Sequence, residues 1–241
     1  MKFNGKELRG FLTGLIIGDG TIDKGISKRA FRIKNVNKQF IDLIYNELRE
    51  NTVFKIGINH YDSIFKNNCN HKEYWELYTK AHPYFRKLYS SFYDDYRHRR
   101  ITKNVLDWIT PYGIACWFMS EGYTCLVGRT KGIIRNRRIQ ICTDAYPKEQ
   151  VEMLCKMLLE KFNIKTSIIN RKTTYRINIK LNSYESFFNL IYPYMVDSMK
   201  YKLYLGYECQ PIWMSDCMWE QQQIIYSTIN PTNNVEDYDI V

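Results

Sequence analysis

The 241-residue chain carries 35 Lys and Arg against 25 Asp and Glu, a formal net charge of +10, with 45% hydrophobic and 15% aromatic residues. That length can bury a core, and that composition excludes intrinsic disorder. Twelve Gly and six Pro exclude collagen-like and low-complexity chains, and apolar runs such as residues 11–17 fall far short of the roughly 20 residues that span a bilayer.

Asn4 and Glu7 form the pattern of a capping box, so a helix is predicted from there to about Gly18. Gly10, Gly14 and Gly18 recur every fourth residue and share one helix face. Each costs about 1 kcal/mol against Ala, so the stripe implies close approach of another helix. Residues 30–36 alternate, with Phe31 and Ile33 opposed to Arg32 and Lys34. Residues 37–50 read as a helix with Phe40, Ile41, Ile44 and Leu48 on one stripe. Residues 55–61 and 74–79 read as strands, and 82–92 as a helix.

The order then recurs. Thr110-Pro111 opens a helix that runs to Ser120. Residues 138–142 alternate, 147–162 read as a helix, 165–172 and 174–181 as strands, and 183–194 as a helix. Asp19 and Glu121 end equivalent helices 102 residues apart, and Arg100 and Lys202, each after the last helix of its half, repeat that spacing. The predicted fold class is therefore α+β, two αββαββα repeats at 1–103 and 104–205, followed by an extension at 206–241. Charge divides at the same place. Residues 1–202 hold 35 basic and 19 acidic side chains, a net +16, and the last 39 hold six acids and no Lys or Arg. A basic body points to an anionic partner, most simply nucleic acid.

Seven cysteines without a Cys-x-x-Cys pair imply a reducing, intracellular setting. The N-terminal residues lack the apolar core of a secretion signal. No second close pair accompanies Cys69 and His71, so no zinc site is expected.

Residues 12–20 and 114–122 each place an acid just before a glycine at the end of an apolar helix. The helix dipole is negative there, so an acid kept twice in that position implies a nearby cation. A hard divalent ion would take the carboxylates of Asp19 and Glu121 and the backbone carbonyls of Gly18 and Ser120.

The two segments resemble the paired LAGLIDADG motifs of single-chain homing endonucleases. Leu12, Gly14, Leu15, Asp19 and Gly20 match in the first copy, where Ile17 replaces the first Asp and Gly18 the Ala. Ala115, Glu121 and Gly122 match in the second, with Cys116 at the small position. The flanks, including Ile109-Thr-Pro and Tyr201-Lys-Leu203, are similar to those of the intron-encoded members of yeast mitochondria, over about residues 5–203.

The resemblance implies motif helices packed at a pseudo-two-fold axis, with a monomer supplying both halves. It also implies Mg2+ (or Mn2+ or Ca2+ in the same sites) at Asp19 and Glu121, and hydrolysis of both DNA strands leaving short 3′ overhangs. Arg100 and Lys202 would be the basic catalytic residues, with Arg99 and Lys103 as alternatives to Arg100. A maturase that binds intron RNA, or an inactive DNA-binding regulator, would share the fold.

Independently of the family, the polar faces of the predicted strands are rich in cations and amides: Arg32, Lys34, Lys55 and Asn59, then Arg138, Gln140, Lys172, Arg176, Asn178 and Lys180. These side chains can bond base edges and phosphates. They are expected to form a saddle on double-stranded DNA, with divergent halves reading a non-palindromic site.

Overall fold

The computed structural model describes residues 4–23, 29–64, 71–130, 133–205 and 214–229. Asn4 Oδ1 accepts from the N–H groups of Lys6 and Glu7, both at 2.9 Å, and Glu7 Oε2 accepts from Asn4 N–H at 2.8 Å. This capping box opens α1, Gly5–Ile17. The chain continues through β1 (Thr21–Ile22), β2 (Phe31–Asn35), α2 (Lys38–Asn51), β3 (Ile56–Ile64), β4 (His71–Thr79) and α3 (Pro83–Phe92). A short α4, Lys103–Trp108, capped by the Thr102 hydroxyl, joins the halves.

The second half repeats the order: α5 (Pro111–Glu121), β5 (Gly122–Thr130), β6 (Ile133–Cys142), α6 (Lys148–Phe162), β7 (Thr166–Arg171), β8 (Thr174–Ile179) and α7 (Tyr184–Ile191). The predicted helix at 183–194 tightens to 3₁₀ at Tyr192–Tyr194, where Pro193 has no N–H to continue the α ladder. A further 3₁₀ run, Asp197–Leu203, follows. Helix α8, Asp216–Ile229, closes the described chain. No helix among the described residues is long and apolar enough to cross a membrane.

Each half forms a four-stranded antiparallel sheet, ordered β1-β2-β4-β3 and β5-β6-β8-β7. Matching backbone bonds close both sheets: Lys80 N–H donates to Lys55 O at 2.7 Å, and Lys180 N–H to Lys165 O at 2.9 Å. One face of each sheet is buried under helices. Phe31, Ile33 and Leu77 do this in the first half and Ile139, Ile141, Ile177 and Ile179 in the second, all at most 1% exposed. The strand predicted at 174–181 ends at Ile179, and Leu181 enters a 3₁₀ turn and is exposed. The other faces carry the polar side chains of the same strands.

The halves meet through α1 and α5. A Cβ on Gly14 would overlap the backbone carbonyl of Gly113, one on Gly113 would overlap the carbonyl of Gly10, and one on Gly18 would lie 2.7 Å from Ser120 Cβ. Gly14 and Gly113 thus pack backbone against backbone, while Gly10 and Gly18 lie against the side chains of Thr110 and Ser120. Phe11, Leu12, Leu15, Ile114, Trp117 and Phe118 fill the space on either side, each with 0% exposure.

Candidate active site

The α1–α5 contact runs to the C-terminal ends of both helices, where Gly18 abuts Ser120. The next residue in each chain direction is an acid, Asp19 or Glu121. Asp19 Oδ2 accepts from Asn35 Nδ2 at 3.3 Å. Burial raises the Asp19 carboxyl above its ordinary range, against the opposing pull of Lys202, Asn35 and Arg99. Burial also raises Glu121, and the neighbouring Asp19 charge raises it further. A buried carboxylate whose ionisation is opposed by a neighbouring carboxylate is relieved by a shared cation.

One basic side chain caps each helix end. Arg99 Nη1 donates to Gly18 O at 2.6 Å and Nη2 to Gly20 O at 2.9 Å. Lys202 Nζ donates to Met119 O at 2.5 Å and reaches Ser120 O at 3.5 Å. Both place positive charge on the negative pole of a helix. Burial lowers the Lys202 pKa, and the charges of Asp19 and Glu121 raise it in opposition. Tyr146, from the second half, donates its hydroxyl to Ile17 O at 2.9 Å and ties the end of α1 across the interface.

The donors at this junction are hard oxygens: two carboxylates, the Ser120 hydroxyl, which is buried without a partner, and the carbonyls of Gly18 and Ser120, for which a metal would compete with Arg99 and Lys202. Among the described residues no group of three or more His, Cys, Asp and Glu gathers to hold a metal. Two carboxylates with the remaining ligands from water and substrate phosphate is the pattern of Mg2+, which is seldom bound by an all-protein cage. The residues fit such an ion.

The profile of the LAGLIDADG DNA endonuclease family matches residues 9–187, which takes in both helix ends. The chain belongs to this family. It is 32% identical, over 80% of its own length and 81% of the relative's, to the "Probable intron-encoded endonuclease 1" of Wickerhamomyces canadensis. A solved structure, "The homing endonuclease I-WcaI bound to its DNA recognition sequence", superposes with a TM-score of 0.71 at 28% identity, covering 84% of this chain and 88% of the other. The chain is also 25% identical, over 79% of its length and 45% of the relative's, to "Cytochrome b mRNA maturase bI2" of Saccharomyces cerevisiae.

In this LAGLIDADG protein the basic partner of α1 is Arg99, not Arg100. Arg99 pairs with Tyr93 in an antiparallel bridge, which turns its side chain toward the helix end. Successive residues of extended chain point to opposite sides, so Arg100 turns away, and its Nη2 donates to Ser90 O at 3.0 Å. The flank resemblance pointed to Arg100 with Arg99 as an alternative, and it is Arg99 whose side chain reaches the end of α1. Lys103 enters α4 at its first turn and lines a pocket with Asp107, Met153 and Lys161. Arg99→Met should slow cleavage by about 10²-fold, as loss of a charge-stabilising donor does, and Arg100→Met should leave it near wild type. Single-turnover cleavage rates check both.

The polar strand faces hold the other candidate contacts. In the first sheet Arg32, Tyr78 and Gly57 align in one row, and Lys34, Glu76 and Asn59 in the next. Lys55 lies just before β3 on the same side. Glu76 is 5% exposed and pairs with Lys34 and Arg32, both at 3.7 Å. In the second sheet Gln140 aligns with Asn178, and Cys142 with Arg176. Arg138 and Lys180 are exposed along the same face, and Lys172 sits in the β7–β8 turn with φ 55°. Gln140 departs from expectation. It is 2% exposed, with its Oε1 taken by the Tyr123 hydroxyl at 2.6 Å.

Asp144 grips Arg176 through Nε and Nη2, at 3.0 and 2.5 Å, and Nη1 donates to Tyr123 OH at 2.9 Å. A similar Nε grip joins Arg32 to Asp23 at 3.0 Å. These acids orient the arginines that the strand pattern exposed. Asn35, Asp144, Tyr123 and Tyr146 were all missed in the sequence because each acts through a partner far along the chain.

Proposed function

We propose that the chain is a site-specific homing endonuclease. It makes a double-strand break in a long, non-palindromic DNA target by divalent-metal-dependent hydrolysis, leaving short 3′ overhangs. The observation that carries this reading is the meeting of Asp19 and Glu121 at the abutting ends of α1 and α5, each end capped by its own cation.

Asp19, Glu121 and the carbonyls of Gly18 and Ser120 would hold Mg2+, with Mn2+ or Ca2+ as substitutes in the same sites. When bound, the metal supplies an acidified water and neutralises charge at the scissile phosphate. Lys202 and Arg99 offset the charge that builds on the phosphates of the two strands. Asn35 orients the Asp19 carboxylate. Each polar sheet face lies along one half of the target, with Arg32, Lys34, Lys55 and Asn59 serving the first half-site. Arg138, Lys172, Arg176, Asn178 and Lys180 serve the second. One chain supplies both halves, so it acts as a monomer, within the units 1–103 and 104–205.

The test is incubation with duplex DNA bearing the allele that lacks the insertion, or with a randomised library, in Mg2+ and in EDTA. Cleavage of both strands in Mg2+ alone is expected. Tight binding of a duplex without any cleavage would sink the proposal. Binding should weaken steeply with salt. If 6–10 phosphates are contacted, affinity falls about 10³- to 10⁵-fold between 50 and 200 mM, and the slope of log affinity against log salt reads the number directly.

The similarity to the cytochrome b mRNA maturase favours a second reading, intron RNA binding in splicing, which would share the fold. Splicing of the host intron in the presence of a cleavage-dead variant separates the two activities.

A further inference from the structure

The two basic residues at the cleavage junction are held by different means. Arg99 belongs to a short antiparallel pairing with Tyr93, and the next residue donates its N–H to Phe92 O at 2.8 Å. Lys202 has no such ladder. It is the penultimate residue of the 3₁₀ run Asp197–Leu203. Seven residues is long for 3₁₀ geometry, whose hydrogen bonds are poor and whose runs seldom exceed three or four residues. Such a segment needs partners outside itself.

It has them at both ends. At its start, Ser198 N–H donates to Gln39 Oε1 at 3.2 Å and Ser198 Oγ to Asn37 Oδ1 at 2.9 Å. Both partners sit at the N-terminus of α2, in the other half. At its finish, Gln222 of α8 closes a bridge. Leu205 N–H donates to Gln222 Oε1 at 2.8 Å, and Gln222 Nε2 donates to Leu203 O at 3.1 Å.

Gln222 is 2% exposed. A helix that served only to cover apolar surface would do better with a Leu there, because a buried amide is a liability unless its bonds are made. Here both ends of the amide are matched, to the backbone immediately after Lys202. The rest of α8 docks through Met218 and Ile225, at 1% and 2% exposure, and through Gln221, which accepts from the Tyr192 hydroxyl. Helix α8 lies beyond residue 187, where the family profile ends.

We infer that Gln222 is a positioning residue for DNA cleavage: from α8 it fixes the backbone that follows Lys202, so that the ammonium stays on the carbonyls at the end of α5. The inference rests on the assignment of Lys202 to the cleavage site. It gives the C-terminal extension a role in the reaction, where the first half uses its own backbone pairing. Lysine is the side chain that needs such help, since its four-carbon stem is flexible and its single charge has no fork to orient it.

The experiment is a double-mutant cycle with the full chain: wild type, Gln222→Leu, Lys202→Met and the double variant. Single-turnover cleavage in Mg2+ is measured at saturating enzyme, below the onset of melting, on a target obtained by cleavage selection. DNA affinity is measured in EDTA. Gln222→Leu should slow cleavage about 10-fold, the scale of a sub-ångström to ångström misplacement, with affinity within about twofold. In the Lys202→Met background it should cause no further loss, because the two act as a unit.

Wild-type rate in Gln222→Leu, or the same fold-loss with and without Lys202, overturns the inference. The second result would mark a merely structural residue. Gln222→Glu keeps an acceptor for Leu205 N–H and should recover part of the rate. If Gln222→Leu does not fold, Gln222→Glu takes its place in the cycle, with a smaller loss that should likewise vanish in the Lys202→Met background. A wild-type protein that binds and never cuts sinks the nuclease reading itself, whereas a cutting wild type with an additive cycle sinks only the role of Gln222.

Discussion

Glu121→Gln and Asp19→Asn should each reduce double-strand cleavage by about 10³-fold or more, the upper scale for losing one preorganised charge-stabilising group, while specific DNA binding in EDTA survives. The amides keep the shape of the side chains and remove the charge. Asp19 and Glu121 are the two carboxylates at the helix ends, with Asp144 close enough to add to the rise at Glu121, so loss of either halves the formal charge that the helix ends offer a divalent ion. Binding survives because the sheet faces that would grip DNA are separate from the helix ends.

The same variants should raise stability when no divalent ion is present. Burial raises both carboxyls above their ordinary values, and Asp19 adds to the rise at Glu121. A carboxyl with a raised folded-state pKa favours folding while protonated and loses that contribution as pH climbs through the folded value. At neutral pH, in EDTA, Glu121→Gln should therefore melt higher than wild type. The advantage should vanish once pH falls below the ordinary carboxylate range. Adding Mg2+ should raise the wild-type melting temperature and leave the variant's nearly unmoved. Thermal melts across pH, with and without metal, read all three effects. Wild-type cleavage by either variant would remove that acid from the reaction.

The sequence showed most clearly what repeats locally. The capping box at Asn4, the alternation of Phe31 to Lys34 and the Thr110-Pro111 start are each decided within a few residues, and each stands in the structure where the pattern placed it. Asp19 and Glu121 were legible because a helix C-terminus is an unfavourable place for an acid and the chain has two. What was not legible depends on distant contacts. The choice between Arg99 and Arg100 is made by a bridge to Tyr93, and one residue of register reverses which side chain faces inward. Gln140 has the pattern of an exposed strand amide, yet Tyr123 covers it from a neighbouring strand. Helix α8 has only weak amphipathic order, and its hold on Leu203 and Leu205 becomes visible only when Gln222 is seen buried.

Gly14→Ala should be among the most destabilising single-methyl changes in the protein, costing about 3 kcal/mol or more, the upper part of the range for overpacking a tight interior. An added Cβ would overlap the carbonyl oxygen of Gly113, which is backbone and cannot rotate aside. The helices would have to separate, and Phe11, Leu12, Ile114 and Trp117 would lose their close packing together. Gly18→Ala should be milder, because its Cβ would meet the Ser120 side chain at 2.7 Å, beside the unpartnered hydroxyl. Gly5→Ala supplies the contrast. Nothing lies within 4 Å of its Cβ, and Gly5 is the first residue of α1, so Ala should be neutral or stabilise by roughly a few tenths of a kcal/mol, less than the interior propensity difference. Denaturant unfolding of the three variants tests the order, and a Gly14→Ala protein as stable as wild type would refute the backbone-to-backbone contact. The consequence reaches the chemistry, since the spacing of α1 and α5 also sets the spacing of Asp19 and Glu121. Any Gly14→Ala protein that still folds should bind DNA and cut it poorly, because a shift at the glycine stripe moves both acids away from the phosphates they must serve.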